Sequence, residues 1–142
     1  MLKRLILITI LFHFHNFANG ATVQEKKGLF VKERFSSNLY IIKDAKASTV
    51  ILSHGSGGVW KHTYMWKDRL INQGYNVVII DHHKEKGIKP HVGKRDYKDF
   101  PEERVKDLLK LSRWIKKQKW NKEKIGVIGF SYGGAGTNLL AN

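Results

Sequence analysis

Two glycine-bounded segments hold the residue types best suited to covalent chemistry. The first is Gly129-Phe130-Ser131-Tyr132-Gly133, a G-x-S-x-G between an apolar β-type run and a helix-forming tail. A serine on so sharp a strand-to-helix turn takes unusual backbone angles, and its hydroxyl projects away from the sheet. Side chains at 129 and 133 would collide with neighbouring backbone, so glycine is required at both. The positive end of the following helix favours negative charge developing at the serine. A plainer reading makes Ser131 the N-cap of an ordinary glycine-rich turn. The second segment is His54-Gly55-Ser56-Gly57-Gly58. Glycine-rich backbone leaves amides uncovered, and two converging amides can hold an oxyanion. Removing one such donor typically costs about 3 kcal/mol of transition-state stabilisation. A flexible turn is the plainer alternative here. A dinucleotide site is the third reading, with Asp81 ending the next strand. It needs G-x-G-x-x-G, and Trp60 stands where the third glycine must sit.

The elements that must position these segments alternate along the chain. Leu29–Phe35 and Leu39–Lys43 read as strands, with Ser36-Ser37-Asn38 as the tight turn of a hairpin. Thr49–Ser53, Asn76–Asp81 and Lys124–Gly129 are apolar and β-branched, and read as strands buried on both faces. Thr63–Gln73 carries Trp66, Leu70 and Ile71 at helical spacing, and Gly74 is its C′ stop. Pro101 opens the next helix, with Glu102 and Glu103 at its positive end and Lys116, Lys117 and Lys119 at its negative end. Its expected buried stripe is Val105, Leu108, Leu109, Ser112 and Ile115. A turn over Phe130–Gly133 leads to a last helix from Gly134 to Asn142. Residues 82–100, polar and basic, read as a long loop with exposed histidines, and His62 reads as a solvated residue at a helix start. The whole is α/β: a mostly parallel sheet with an amino-terminal hairpin and helices on both faces.

With 142 residues, 42% apolar and 27% charged, the chain has globular composition and room for one domain. The absence of cysteine excludes disulfide scaffolds, thiolate metal sites and cysteine nucleophiles together. No metal-ligand spacing is evident. The formal charge of +14 raises nucleic acid as a partner. The helical lysines, however, occupy the polar side of an amphipathic helix, where a solvated face explains them. Nucleic-acid binding stays as the competing minor reading, and Trp60, Trp66, Trp114 and Trp120 fit core or helix packing better than base stacking. Residues 1–20 contain no acidic residue, begin with Lys3 and Arg4, continue as an apolar stretch and end with Ala18 and Gly20. They read as a signal peptide cleaved near Gly20–Ala21, so the expected location is periplasmic or secreted. No later stretch is apolar enough to span a bilayer. The domain proper is 21–142.

ILSHGSGGVW, then QGYNVVIID, then IGVIGFSYGG, resembles the amino-terminal half of an α/β-hydrolase, most similar to the dienelactone hydrolase-like branch. The resemblance covers about residues 29–142 and implies the α/β-hydrolase fold, truncated after the nucleophile elbow. It implies that Ser131 is the nucleophile and that the Tyr132 N–H is one oxyanion donor. The second donor would be the N–H of Ser56, or of Gly57. Gly55, Gly129 and Gly133 are the loop and elbow glycines. His54 would support the loop rather than act as base, and Asp81 would organise the loop rather than join a triad. The implied reaction is hydrolysis of a small-molecule carboxylic ester or lactone through an acyl-enzyme, with no cofactor.

In this fold the triad runs serine, acid, histidine along the chain. The 11 residues after Ser131 contain neither acid nor histidine. The expectation is therefore a fragment that is inactive alone. His82, His83 and His91 are remote candidates for a substitute base. The alternative reading is a non-catalytic or decayed relative that only binds ligand. Nothing in the sequence speaks to oligomeric state.

Overall fold

The computed structural model describes residues 23–30, 35–42, 47–90, 99–121 and 123–141. The expected signal peptide and His91 lie outside them. The chain runs β1 (Val23–Phe30), β2 (Phe35–Ile42), β3 (Thr49–Ser53), α1 (Lys61–Asn72), β4 (Asn76–Asp81), a 3-10 turn (Lys84–Lys86), α2 (Pro101–Lys116), β5 (Ile125–Gly129) and α3 (Tyr132–Ala141). The five strands form one sheet in the order β1-β2-β4-β3-β5. β3 pairs in parallel with β4 on one side and β5 on the other, while β2 pairs antiparallel with β1 and β4.

β3 and β4 take the centre because their unbroken apolar runs suit burial on both faces. Alternate residues then feed two cores. On one face Leu39, Ile41, Ile51, Val78 and Ile80 meet Leu108, Leu111 and Ile115 of α2. On the other, Tyr40, Val50, Leu52, Val77 and Ile79 meet Leu70 of α1. Helix α1 ends as its Gly74 anticipates: Gly74 has φ 84°, its N–H donates to Ile71 O, and the Tyr75 N–H reaches back to Leu70 O. That pair of bonds is the Schellman arrangement.

Five expectations need correction. Ser36-Ser37-Asn38 is not the hairpin turn; the hairpin closes at the Phe30–Phe35 pair, and the three residues lie within β2 opposite Asp81, Ile80 and Ile79. Their small polar side chains look turn-like in isolation, but pairing with β4 outweighs that preference. β5 is half-buried throughout, because it is the edge of the described sheet. The buried stripe of α2 is Arg104, Asp107, Leu108, Leu111 and Ile115, whereas Leu109 is 38% exposed. Helix α3 starts at Tyr132, immediately after Ser131. Trp60 is exposed, although Trp66, Trp114 and Trp120 pack against the cores as expected. Lys106, Lys110, Arg113 and Lys116 lie on the solvated side of α2.

Candidate active site

Parallel β3, β4 and β5 deliver their carboxyl ends to one edge of the sheet, with Ser53 level with Ile80 on one side and Gly129 on the other. Three connections leave from there: the His54–Trp60 loop, the segment from His82, and the turn through Ser131. The sequence-expected residues therefore share one edge because of strand register.

Ser131 is exposed and has φ 50°, the only positive φ of a non-glycine residue among those described. Such a conformation costs of order 1–3 kcal/mol and persists only where the surroundings dictate it. Here they do. The Phe130 N–H donates to Ser53 O, and the Gly133 N–H closes the turn onto Phe130 O. A Cβ on Gly133 would lie 2.6 Å from His54 O and still closer to Ser53 O. A Cβ on Gly129 would lie 2.5 Å from the Gly133 carbonyl carbon. The turn is thus wedged against the end of β3, and both glycines are sterically required.

The His54–Gly58 loop lies beside the serine. A Cβ on Gly55 would be 3.3 Å from Ser131 Cβ and 3.8 Å from its Oγ. Residues 55–58 form a tight turn, with the Gly58 N–H on Gly55 O at 3.2 Å and Gly58 at φ 81°. The N–H groups of Ser56 and Gly57 have no acceptor among the described residues. Gly57 itself has open space where a Cβ would stand, so its glycine is not a packing requirement.

His54 is fully buried behind this loop. Its Nε2 accepts the His82 N–H at 3.0 Å, which leaves Nδ1 to carry the proton donated to Gly55 O at 2.5 Å. Asp81 Oδ1 accepts the N–H groups of His83 and Lys84 at 3.0 and 3.1 Å and lies 3.7 Å from His54 Nε2. Burial works to raise the Asp81 pKa, but the hydrogen bonds donated by the His83 and Lys84 N–H groups oppose it and hold the carboxyl below its ordinary value.

The loop histidines are the clearest departure from expectation. His82 and His83 are not exposed; each is 2% accessible. His82 links Ser53 Oγ (3.0 Å) to Asp107 Oδ2 (2.9 Å), and Lys86 also donates to Asp107 Oδ2. This has the connectivity of nucleophile, base and acid, but Ser53 is fully buried and no substrate can reach it. His83 Nε2 contacts Asp99 Oδ2 at 3.0 Å. Among the described residues, neither a histidine nor a carboxylate hydrogen-bonds to Ser131. His62 is half-buried rather than solvated, edge-on to Phe130 with ring centroids 4.7 Å apart.

Sequence reasoning missed Arg104 altogether. It is fully buried, grips Asp99 with two bonds of 2.7 Å, donates to His54 O, and lies 4.9 Å from the Tyr132 ring centroid. The Tyr132 hydroxyl donates to Asp99 O at 2.8 Å. One ion pair therefore ties the His54 loop to the residue that follows Ser131. Burial works against an ionised Asp99, but His83 and Arg104 overcome it and hold the carboxyl well below the usual range. The available signal was the spacing 104, 108, 111, 115, which places Arg104 on the buried stripe whatever its charge.

These groups make the fold acid-sensitive in two stages. Burial, the largest influence, lowers the His82 pKa from 6.5 to about 4, against the pull of Asp107. The unfolded chain therefore takes up this proton at a higher pH than the folded chain. The stability from keeping His82 neutral is complete above pH 6.5 and is lost as pH falls through 4. Asp81, Asp99 and Asp107, all held low, extend the loss below about pH 4. Urea midpoints should fall across the upper window for wild type and more shallowly for His82→Gln; identical slopes would refute this assignment. Among the described residues no three potential ligands cluster to hold a metal ion, and no helix is long and apolar enough to cross a membrane.

A family model described as X-Pro dipeptidyl-peptidase (S15 family) matches residues 22–142. No curated protein matches the chain. Among solved structures, a putative dienelactone hydrolase from Klebsiella pneumoniae aligns with TM-score 0.65 and 20% identity, over 87% of this chain and 55% of that one. A dienelactone hydrolase-like promiscuous phosphotriesterase from metagenomic libraries gives TM-score 0.57 and 18% identity, over 86% and 54%. An esterase of Pyrococcus furiosus gives 0.51 and 27%, over 82% and 44%. These likenesses show the α/β-hydrolase fold of the dienelactone hydrolase-like type. The chain spans about half the length of these structures.

Proposed function

The chain belongs to the X-Pro dipeptidyl-peptidase (S15) family, and on that premise we propose that it carries the nucleophile half of a serine hydrolase acting on small carboxylic esters or lactones. One observation carries the reading: Ser131, at φ 50° on the turn between β5 and α3, is exposed beside a loop whose Ser56 and Gly57 amides are unused. Ser131 Oγ attacks the substrate carbonyl carbon and its proton passes to a base. The tetrahedral oxyanion is held by the Tyr132 N–H with that of Ser56 or Gly57. Collapse expels the alcohol with its proton, and water then cleaves the acyl-enzyme. His54 and Asp81 support the loop, since both are spent on local bonds. No described residue serves as the base. Residues 1–20 direct export.

The family match favours a second substrate reading of the same chemistry, an Xaa-Pro peptide bond in place of the ester. A fluorophosphonate probe followed by peptide mass spectrometry tests the nucleophile. The expected adduct is on Ser131 and vanishes in Ser131→Ala. An adduct that survives the substitution refutes the assignment, and a folded protein that takes no adduct is the ligand-binding relative instead. Parallel assays with an aryl ester and an Xaa-Pro anilide separate the two substrate readings.

A further inference from the structure

A cavity of about 180 Å³ opens on the α1 face of the sheet, near the carboxyl end of β4, lined by Ser36, Asn38, Val59, Tyr64, Asp81 and Lys84 among others. It lies two strands from β5, about 10 Å across the sheet at ordinary strand spacing, on the same edge as Ser131 and bordered by Val59 of the His54–Trp60 loop. Strand alternation settles which side chains face it. Tyr40 and Ile79 belong to the α1-side core, so Ser36, Asn38 and Asp81 share their side.

Five polar side chains on this cavity keep hydrogen-bonding capacity to spare. Both backbone bonds to Asp81 go to Oδ1, and Oδ2 has no partner among the described residues. The side chains of Ser36, Asn38, Tyr64 and Lys84 likewise make no hydrogen bond there. Together they offer hydroxyl and amide groups that both donate and accept, one carboxylate acceptor and one ammonium donor. A free cation would meet the Lys84 ammonium, and a free anion the Asp81 carboxylate. The two signs in one small space favour a neutral ligand rich in hydroxyls. The surface the cavity presents is almost wholly polar, which suits a ligand carrying hydroxyls on every side. At about 180 Å³ the cavity has room for several waters, and so for a small hydroxylated group that replaces them.

We propose that this cavity binds a neutral hydroxyl-rich group, a monosaccharide or polyol unit, through Asp81, Asn38, Ser36, Tyr64 and Lys84. The proposal is independent of Ser131 and holds equally for a protein with no hydrolytic activity.

The test is a two-dimensional amide NMR titration of the protein, in wild-type and Ser131→Ala forms, with methyl glucoside and with glycerol. Methylammonium and acetate serve as charged probes. The expected result is saturable shifts at Asn38, Tyr64, Asp81 and Lys84 with a neutral probe, unchanged in Ser131→Ala. Asp81→Asn preserves an acceptor for the His83 and Lys84 N–H groups but removes the charge. It should weaken binding roughly tenfold or more, the scale of one hydrogen bond to a charged group. Tyr64→Phe, on an exposed residue, keeps the fold and should weaken binding several-fold. The proposal is overturned if neither neutral probe shifts these amides, if a charged probe alone does, or if both variants bind as wild type does.

Discussion

Gly133→Ala is expected to lower the melting temperature by roughly 10 °C, the equivalent of about 3 kcal/mol in a chain of this length. By helix propensity alone the substitution would help, since Gly133 lies in the first turn of α3 and alanine is favoured over glycine there by about 1 kcal/mol. Space reverses the sign. The added methyl would meet the carbonyls of Ser53 and His54, which are backbone atoms at the end of β3. A flexible side chain could swing aside, but Ser53 is fixed by pairing with β4 and β5 and the His54 carbonyl is held by Arg104. The turn would have to retreat from β3, breaking the Phe130 N–H bond to Ser53 O and releasing the strained Ser131. Gly134→Ala is the matched control. Its Cβ comes no closer than 3.4 Å to Gly129 O, so it should be neutral or slightly stabilising. A scanning-calorimetry comparison decides the matter; equal melting temperatures for the two variants would sink the wedge argument.

That contrast shows why part of the site was legible beforehand. Gly129 is dictated locally, by Gly133 and Thr137, whereas Gly133 is dictated by the carbonyls at the end of β3; both are still legible because they fall in one strand-turn-helix pattern. β3 and β4 were legible to the residue because an unbroken run such as TVILS or NVVIID suits only a central strand. The hairpin turn was misplaced because Ser36, Ser37 and Asn38 owe their conformation to β4, about 40 residues away. His82 and His83 are buried against expectation, and Arg104 goes unnoticed, for a related reason. A charged or titratable residue is assigned to solvent unless its partner is known. The partner of His82 is 25 residues away on α2, and Arg104 shares Asp99 with His83. Periodicity is blind to such partners, but not to the stripe: Arg104 and Asp107 both fall on the face that Leu108, Leu111 and Ile115 define.

Arg104→Met is expected to destabilise the protein by about 3–5 kcal/mol, as measured by urea unfolding, because it leaves Asp99 buried without its cation. Arg104→Lys should recover little. An ammonium cannot reproduce the two parallel bonds to Asp99 while also reaching the His54 carbonyl. Removing both charges, in Arg104→Met with Asp99→Asn, should cost clearly less than the sum of the single changes, since no orphaned carboxylate remains. Additive single and double values would refute a coupled pair. The placement of this pair explains why a charge is present where apolar packing would stabilise as well. Two groups converge there that an apolar side chain cannot satisfy, the His54 carbonyl and the Asp99 carboxylate, beside the face of the Tyr132 ring. His54 opens the loop beside Ser131, and Tyr132 follows Ser131 directly. One rigid guanidinium therefore fixes the distance between two segments that come from β3 and β5. Beyond its cost in stability, Arg104→Met should slow fluorophosphonate labelling of Ser131 by more than the unfolded fraction accounts for, while an equally destabilising change at Leu111 should not. If the two variants label alike at matched stability, Arg104 serves the core alone.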